Sequence, residues 1–338
     1  MKDQLMFNVR SFALALASVT VFCSSCLLPL AAQDIFLREN FATAPSQRGW
    51  QAFGATNLFA WSDANQNLEV TWDSSQPNSY FCHPLGTVLS KTNDFILEFD
   101  LRLADVAIGT APDKPYTFQL AVGLTDLASA TNAGFLRGTG FNSPNLVEFD
   151  YFPDSGYGAT ISTPLISSNN DWNLGGFTYP LELAAGDVYH VAMRYVAANQ
   201  TLMTLMTRNG ERFGPLKNAA LGGSFSDFRL DQMAISSYSD AGQDPSFGGS
   251  LLAHGTVDNL MFVSPPPVSD VTGVFTGKTW QVQFTSHTNW GYNLERTEDF
   301  QTWAAASSSI AGTGSELTLS ETNAPGGKAF YRVHAARP

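Results

Sequence analysis

The sequence predicts an all-β chain, a large two-sheet sandwich followed by a small second β-sandwich. Three observations carry this. Apolar residues recur at every second position in segment after segment, with almost no helical period. Twenty-five Phe and seven Trp among 338 residues favour sheets over helices. A Pro-rich break at residues 264–267 separates residues 34–263 from a shorter stretch, 268–338, with its own alternation.

Taken in order, residues 1–32 read as an export signal. Lys2 and Arg10 precede the mostly apolar residues 11–30, and Ala31 and Ala32 offer small side chains for cleavage. The apolar run has the length of a membrane span, about 20 residues. Ser24, Ser25 and Pro29 interrupt it, which favours removal and leaves no membrane span in the mature chain. Cys82 is then the remaining cysteine, so no disulfide forms within the mature chain.

Strands are expected at residues 34–41, 49–54, 57–61 and 67–72, where Leu68, Val70 and Trp72 alternate with Glu69 and Thr71. Residues 79–89, 94–103 and 116–124 follow, and 127–136 fits a short helix or a turn. The central strand is 145–153: Val147, Phe149 and Tyr151 point one way, Leu146, Glu148, Asp150 and Phe152 the other. Its two acids stand about 7 Å apart by strand rise. Residues 159–165 form the next strand, and 167–176 a polar loop holding Trp172. Residues 187–195 and 200–207 pair as a hairpin, and 228–236 and 255–263 close the large module. In the tail, Trp280, Val282 and Phe284, then Leu317 and Leu319, repeat the alternation.

The net charge of −12 excludes nucleic acid, or an anionic membrane, held through a basic patch. Charged residues make up 14% of the chain, below the usual ~25%, so Ser, Thr, Asn, Gln and Gly must supply much of the polar surface. There is no HExxH, GxSxG or P-loop pattern.

Residues 95–103, 187–195 and 255–262 carry a resemblance. The large module resembles the concanavalin A-like, laminin-G-like jelly rolls of exported bacterial proteins. The tail, through residues 291–303 and 330–333, resembles a small fibronectin-III-like sandwich common on such proteins. The resemblance implies two curved sheets, with any sugar or Ca²⁺ site on the hollow sheet and its rim loops. It also invites comparison with glucanases of that superfamily, whose active strand reads Glu-x-Asp-x-(x)-Glu. Glu148 and Asp150 match, but Phe152 or Pro153 stands where the second Glu falls. Retaining hydrolases need two carboxyls about 5–5.5 Å apart, and one is missing locally.

The expected function is therefore non-catalytic binding of a polysaccharide or cell-surface glycan by an exported protein. The rivals are a glycoside hydrolase or polysaccharide lyase that borrows an acid from elsewhere, and a structural cell-envelope protein. Glu148 and Asp150 are expected to line the ligand groove, and Trp172 to stack on a sugar ring. His190 and Arg194, which share one strand face, are expected to clamp the ligand. No cofactor motif is present. The one metal the loop chemistry suits is Ca²⁺, on the oxygens of Asn170 and Asp171.

Overall fold

A computed structural model describes residues 35–137, 142–173, 177–243, 246, 248–288, 290–326 and 328–336. The expected export signal lies outside them. The described chain is all-β. Its large module begins with β1 (Ile35–Glu39), β2 (Gln51–Phe53), β3 (Phe59–Ser62), β4 (Asn67–Asp73), β5 (Ser79–Leu89) and β6 (Phe95–Ile108). The middle holds β7 (Leu120–Thr125), α1 (Leu127–Ala130), β8 (Leu146–Phe152), β9 (Thr160–Ser162), β10 (Leu165–Ile166) and β11 (Trp172–Asn173). The module closes with β12 (Tyr189–Val196), β13 (Thr201–Arg208), β14 (Glu211–Phe213), β15 (Ala219–Ala220), β16 (Leu230–Ser237) and β17 (Leu251–Ser264).

These strands form two antiparallel sheets. The back sheet runs β14-β13-β12-β6-β17-β4-β3, with β1 added on β17 and β15 on β13. The front sheet runs β11-β10-β8-β7-β16-β5-β2, with β9 added on β8. Neighbours in each sheet are often far apart in sequence, the mark of a jelly roll. The β6 sequence shows why the back sheet faces as it does. Phe95, Leu97, Phe99, Leu101 and Leu103 alternate into the core, while Glu98, Asp100 and Arg102 turn to solvent. Each large apolar side chain buried this way gains about 1.5–3 kcal/mol over an exposed one. Phe99 meets Phe149 of β8 across the core, edge to face at 5.7 Å.

The front sheet departs from simple alternation. Every residue of β7 is buried, as are Leu146 to Tyr151 of β8 and nearly all of β16. A sheet buried on both faces needs a third layer. Residues 126–137, 142–145 and Trp172 supply it. Asp126 caps α1 by accepting from Ser129 N at 2.8 Å. Tyr80 Oη donates to Ala130 O at 2.8 Å, and Asn78 Nδ2 to Phe135 O at 3.0 Å, tying this segment to β5.

Some boundaries shift from expectation. β7 starts at Leu120 because Tyr116 makes only an isolated bridge, to Gly249. The strand expected at 159–165 is two short ones, split at Thr163-Pro164. Ser264, read as linker, is the last residue of β17 and pairs with Ile35.

Beyond Pro267 lie β18 (Val268–Thr276), β19 (Thr279–Ser286), β20 (Gly291–Thr297), β21 (Ala304–Ala305), β22 (Ile310–Ala311), β23 (Glu316–Glu321) and β24 (Phe330–Ala336). One sheet is β18-β19-β23, and the other is β21-β20-β22 with β24 on β20. They enclose a separate small core of Val282, Phe284, Trp290, Tyr292, Leu294 and Leu319. Among the described residues no helix is long and apolar enough to cross a membrane.

Candidate functional site

Glu148 and Asp150 lie on the outer face of the front sheet, as their alternation requires. They do not line an open groove. Their side chains are 1% and 2% exposed, and the third layer covers them. Arg137, itself 3% exposed, donates from Nε to Glu148 Oε2 at 3.1 Å and from Nη2 to Asp150 Oδ2 at 2.6 Å. Its guanidinium lies over the ring of Trp172 at 5.3 Å and that of Tyr238 at 5.7 Å. Tyr238 Oη also donates to Glu148 Oε1. Gly123 of β7 lies opposite Glu148, and a Cβ there would fall 2.9 Å from Glu148 Cγ. The nearest atoms, Val147 O and Glu148 Cα, are backbone, so glycine lets β7 approach β8 closely at the ion cluster.

Two buried acids share one guanidinium, so the charges do not cancel. Burial pushes Asp150 up to about 8; Arg137 opposes this and Glu148 adds to it. Burial raises Glu148 too, against Arg137 and the Tyr238 hydroxyl. Burial and the neighbouring Glu148 thus favour the protonated form of Asp150, and the Arg137 guanidinium favours its anion. Burial alone would lower Arg137, but the two acids outweigh it and raise it. Burial also pushes the nearby Cys82 thiol up to about 12, with Asp231 adding to the effect. Cys82 is a buried, inert thiol on this face.

One row of the same face carries buried polar groups around Ala121. Ser236, Ala121, Asp150 and Ser162 are successive register partners across β16, β7, β8 and β9. Gln119 stands two residues before Ala121, on the same side. Ser236 Oγ, Asp150 Oδ1, Ser162 Oγ and Gln119 Nε2 are all buried without a hydrogen-bond partner among the described residues. Such groups in a folded protein call for a water or a ligand.

Gln119 also lines a pocket of about 570 Å³ at this end of the sheet, with Tyr116, Phe118, Phe152, Asp154 and Gln243. Tyr116 is 58% exposed. Phe152 meets Phe177 at 6.4 Å, and Tyr157 and Tyr179, both largely exposed, meet at 5.6 Å. An exposed aromatic patch thus adjoins a pocket with a polar floor.

The remaining expected site residues are dispersed. Trp172 is not in an open loop. It pairs with Ile166 as part of β11 and covers Arg137. His190 and Arg194 sit on the solvent face of the back sheet, across the core from Glu148. The His190 Nδ1 lies 2.8 Å from Asp100 Oδ1, and its Nε2 lies 3.7 Å from Glu98 Oε2. Asn170 and Asp171 spend their oxygens on donors from neighbouring segments. Asn170 Oδ1 accepts from Ser143 N at 2.9 Å, and Asp171 Oδ2 from Ser226 N and Oγ at 2.9 and 2.6 Å. The Ser226 hydrogen bonds hold Asp171 below the usual carboxylate range. No group of three or more His, Cys, Asp or Glu side chains placed to hold a metal ion occurs among the described residues.

Sequence reasoning missed Arg137, Tyr238 and Gln119. A faint signal existed for the first. In a chain so poor in charge, two acids on a fully apolar strand need a cation.

No protein-family profile matches the chain, and no curated protein sequence is similar to it. Several solved structures align with about two thirds of the chain at low identity. Lectin II from Ulex europaeus is 15% identical, with a TM-score of 0.44 over 68% of this chain and 99% of that one. Peanut lectin with a 9mer peptide is 12% identical, with 0.42 over 68% and 99%. A marine PL-14 alginate lyase from Aplysia kurodai is 9% identical, with 0.43 over 69% and 100%.

Proposed function

We propose that this is an exported, non-catalytic protein that binds a neutral polysaccharide at the pocket formed by Tyr116, Gln119 and Phe152. The observation that carries this reading is the buried Gln119 amide, unpartnered among the described residues, at the inner end of an aromatic pocket of about 570 Å³. Ligand pockets run to about 300–1,000 Å³ and combine apolar walls with a few placed polar groups. A sugar has the matching character: an apolar C–H face for Tyr116 and Phe152, and hydroxyls for Gln119. The net charge of −12 favours a neutral glycan over a polyanion.

The hydrolase alternative loses support, because Glu148 and Asp150 are engaged by Arg137 beneath a packed layer. Affinity electrophoresis in gels containing β-glucan, xylan or galactan tests the proposal. Retardation is expected in at least one gel. Tyr116→Ala and Gln119→Leu should each weaken it about tenfold, equivalent to about 1.4 kcal/mol. Unretarded migration in every neutral polysaccharide, or retardation indifferent to both variants, would refute it.

A further inference from the structure

The small module keeps one end of its core open. In β19 and β23 the inward rows read Trp280, Val282, Phe284 and Leu317, Leu319, Glu321. In β20 and β24 they read Tyr292, Leu294, Arg296 and Tyr331, Val333, Ala335. At one end these rows finish in aromatic and charged residues rather than aliphatic ones. Trp280 stacks on Tyr331 across the two sheets at 5.2 Å and 22°. Beside them Arg296 Nη1 donates to Glu321 Oε1 at 2.5 Å, and Tyr331 Oη to Glu321 Oε2 at 2.7 Å.

Phe275 of β18 is the register partner of Trp280, yet it is 52% exposed. These rings, with Pro325 and Phe330, line a cavity of about 520 Å³. The Trp280 indole N–H is buried and has no acceptor among the described residues. Gly273 keeps the indole in place, since a Cβ there would fall 2.6 Å from its ring.

We propose that this open end is a second saccharide-binding site, so that the chain is bivalent. Phe275 and Tyr331 offer ring faces to the C–H face of a pyranose. The Trp280 N–H donates to a sugar oxygen, and the Arg296–Glu321–Tyr331 network supplies fixed donors and acceptors at the edge. An apolar insert would leave the indole N–H unpaired and bury the ion pair without compensation. A hydroxyl-bearing ligand satisfies both. The inference takes only its ligand class from the preceding reading, because the two sites share no residue. Two sites on one chain raise avidity on a polymer and let the protein cross-link it.

The test uses the full chain. Wild type should turn a solution of the retarding polysaccharide turbid. Phe275→Ala, and separately Tyr116→Ala/Gln119→Leu, should each still be retarded, with Kd raised about tenfold or more, and neither should give turbidity. Combining all three substitutions should abolish retardation. In the Tyr116→Ala/Gln119→Leu chain, the ¹⁵N-indole resonance of Trp280, assigned by its loss in Trp280→Phe, should shift on adding the polysaccharide. No shift and no residual retardation in that chain would overturn the second site while leaving the first standing. The reverse pattern, binding lost with Phe275→Ala alone and untouched by the pocket variants, would overturn the first and keep the second. A dimer in sedimentation that Phe275→Ala dissociates would assign the cavity to a second copy and overturn the inference.

Discussion

Replacing Arg137 by Met tests whether the front sheet depends on its buried cation. The substitution removes two charge-assisted hydrogen bonds, to Glu148 and Asp150, each worth about 1.5–3 kcal/mol. It also removes the cation's contacts with Trp172 and Tyr238, worth about 0.5–2 kcal/mol. Relief of the buried guanidinium offsets part of this. The net expectation is a loss of about 3–5 kcal/mol near pH 7, typical of a buried pair that loses one partner.

The pH dependence has a definite sign. The Asp150 carboxyl sits at about 8 in the folded chain against 3.8 unfolded, so the folded state holds its proton more tightly. Its destabilising effect is absent below pH 3.8, grows as pH rises, and is complete above about 8. Without Arg137, Glu148 must retain its proton as well. The variant should then lose stability more steeply than wild type as pH rises between about 5 and 7. Amide exchange in residues 120–125 and 146–152, read by mass spectrometry, reports this sheet separately from the tail. The variant Arg137→Met/Glu148→Gln/Asp150→Asn should lose the pH slope. A loss below about 1 kcal/mol in Arg137→Met, or a slope parallel to wild type, would refute the argument.

Other outcomes follow from the same geometry. Gly123→Ala should destabilise by about 1–3 kcal/mol through overpacking against Glu148 and β8, seen as a lower urea midpoint. Cys82, with its thiol pushed up to about 12, should resist iodoacetamide at pH 8 in the native chain and react once urea exposes it, as peptide mass spectrometry would show. Asp171→Asn should lower the Tm at neutral pH, because Ser226 loses its charged acceptor. Asp171 is held below its ordinary value, so its contribution is lost as pH falls through the folded value, and variant and wild type should converge in acid. Millimolar Ca²⁺ should leave both melting curves unmoved.

The sandwich was legible because burial on one face imposes a period of two. β6 and β12 show it cleanly: both cover the expected alternating stretches, though β6 continues to Ile108 and β12 begins only at Tyr189. The front sheet was harder. Leu120 to Thr125 is buried on both sides, so its alternation says little about which way it faces. The acids of β8 were expected to line an open ligand groove, because a charged residue on a strand usually meets solvent. What reversed this was a cation 11 and 13 residues upstream, on a segment without a period of its own. Gln119 gave no signal, since an unpartnered amide is a property of packing. Exposed rings such as Tyr116 and Phe275 look the same in sequence as the buried rings beside them.

The first and last strands of the large module, β1 and β17, run antiparallel, and Ile35 lies opposite Ser264. Entry and exit of the chain are therefore neighbours, at most about 5.5 Å apart at Cα. Tension applied between whatever precedes Ile35 and the Pro-rich segment would act on one end of a single ladder. It would peel hydrogen bonds open in succession, the weak direction for a β pair, instead of shearing them together. Under such a load β1 would come away first, leaving most of the back sheet and the whole front sheet in place.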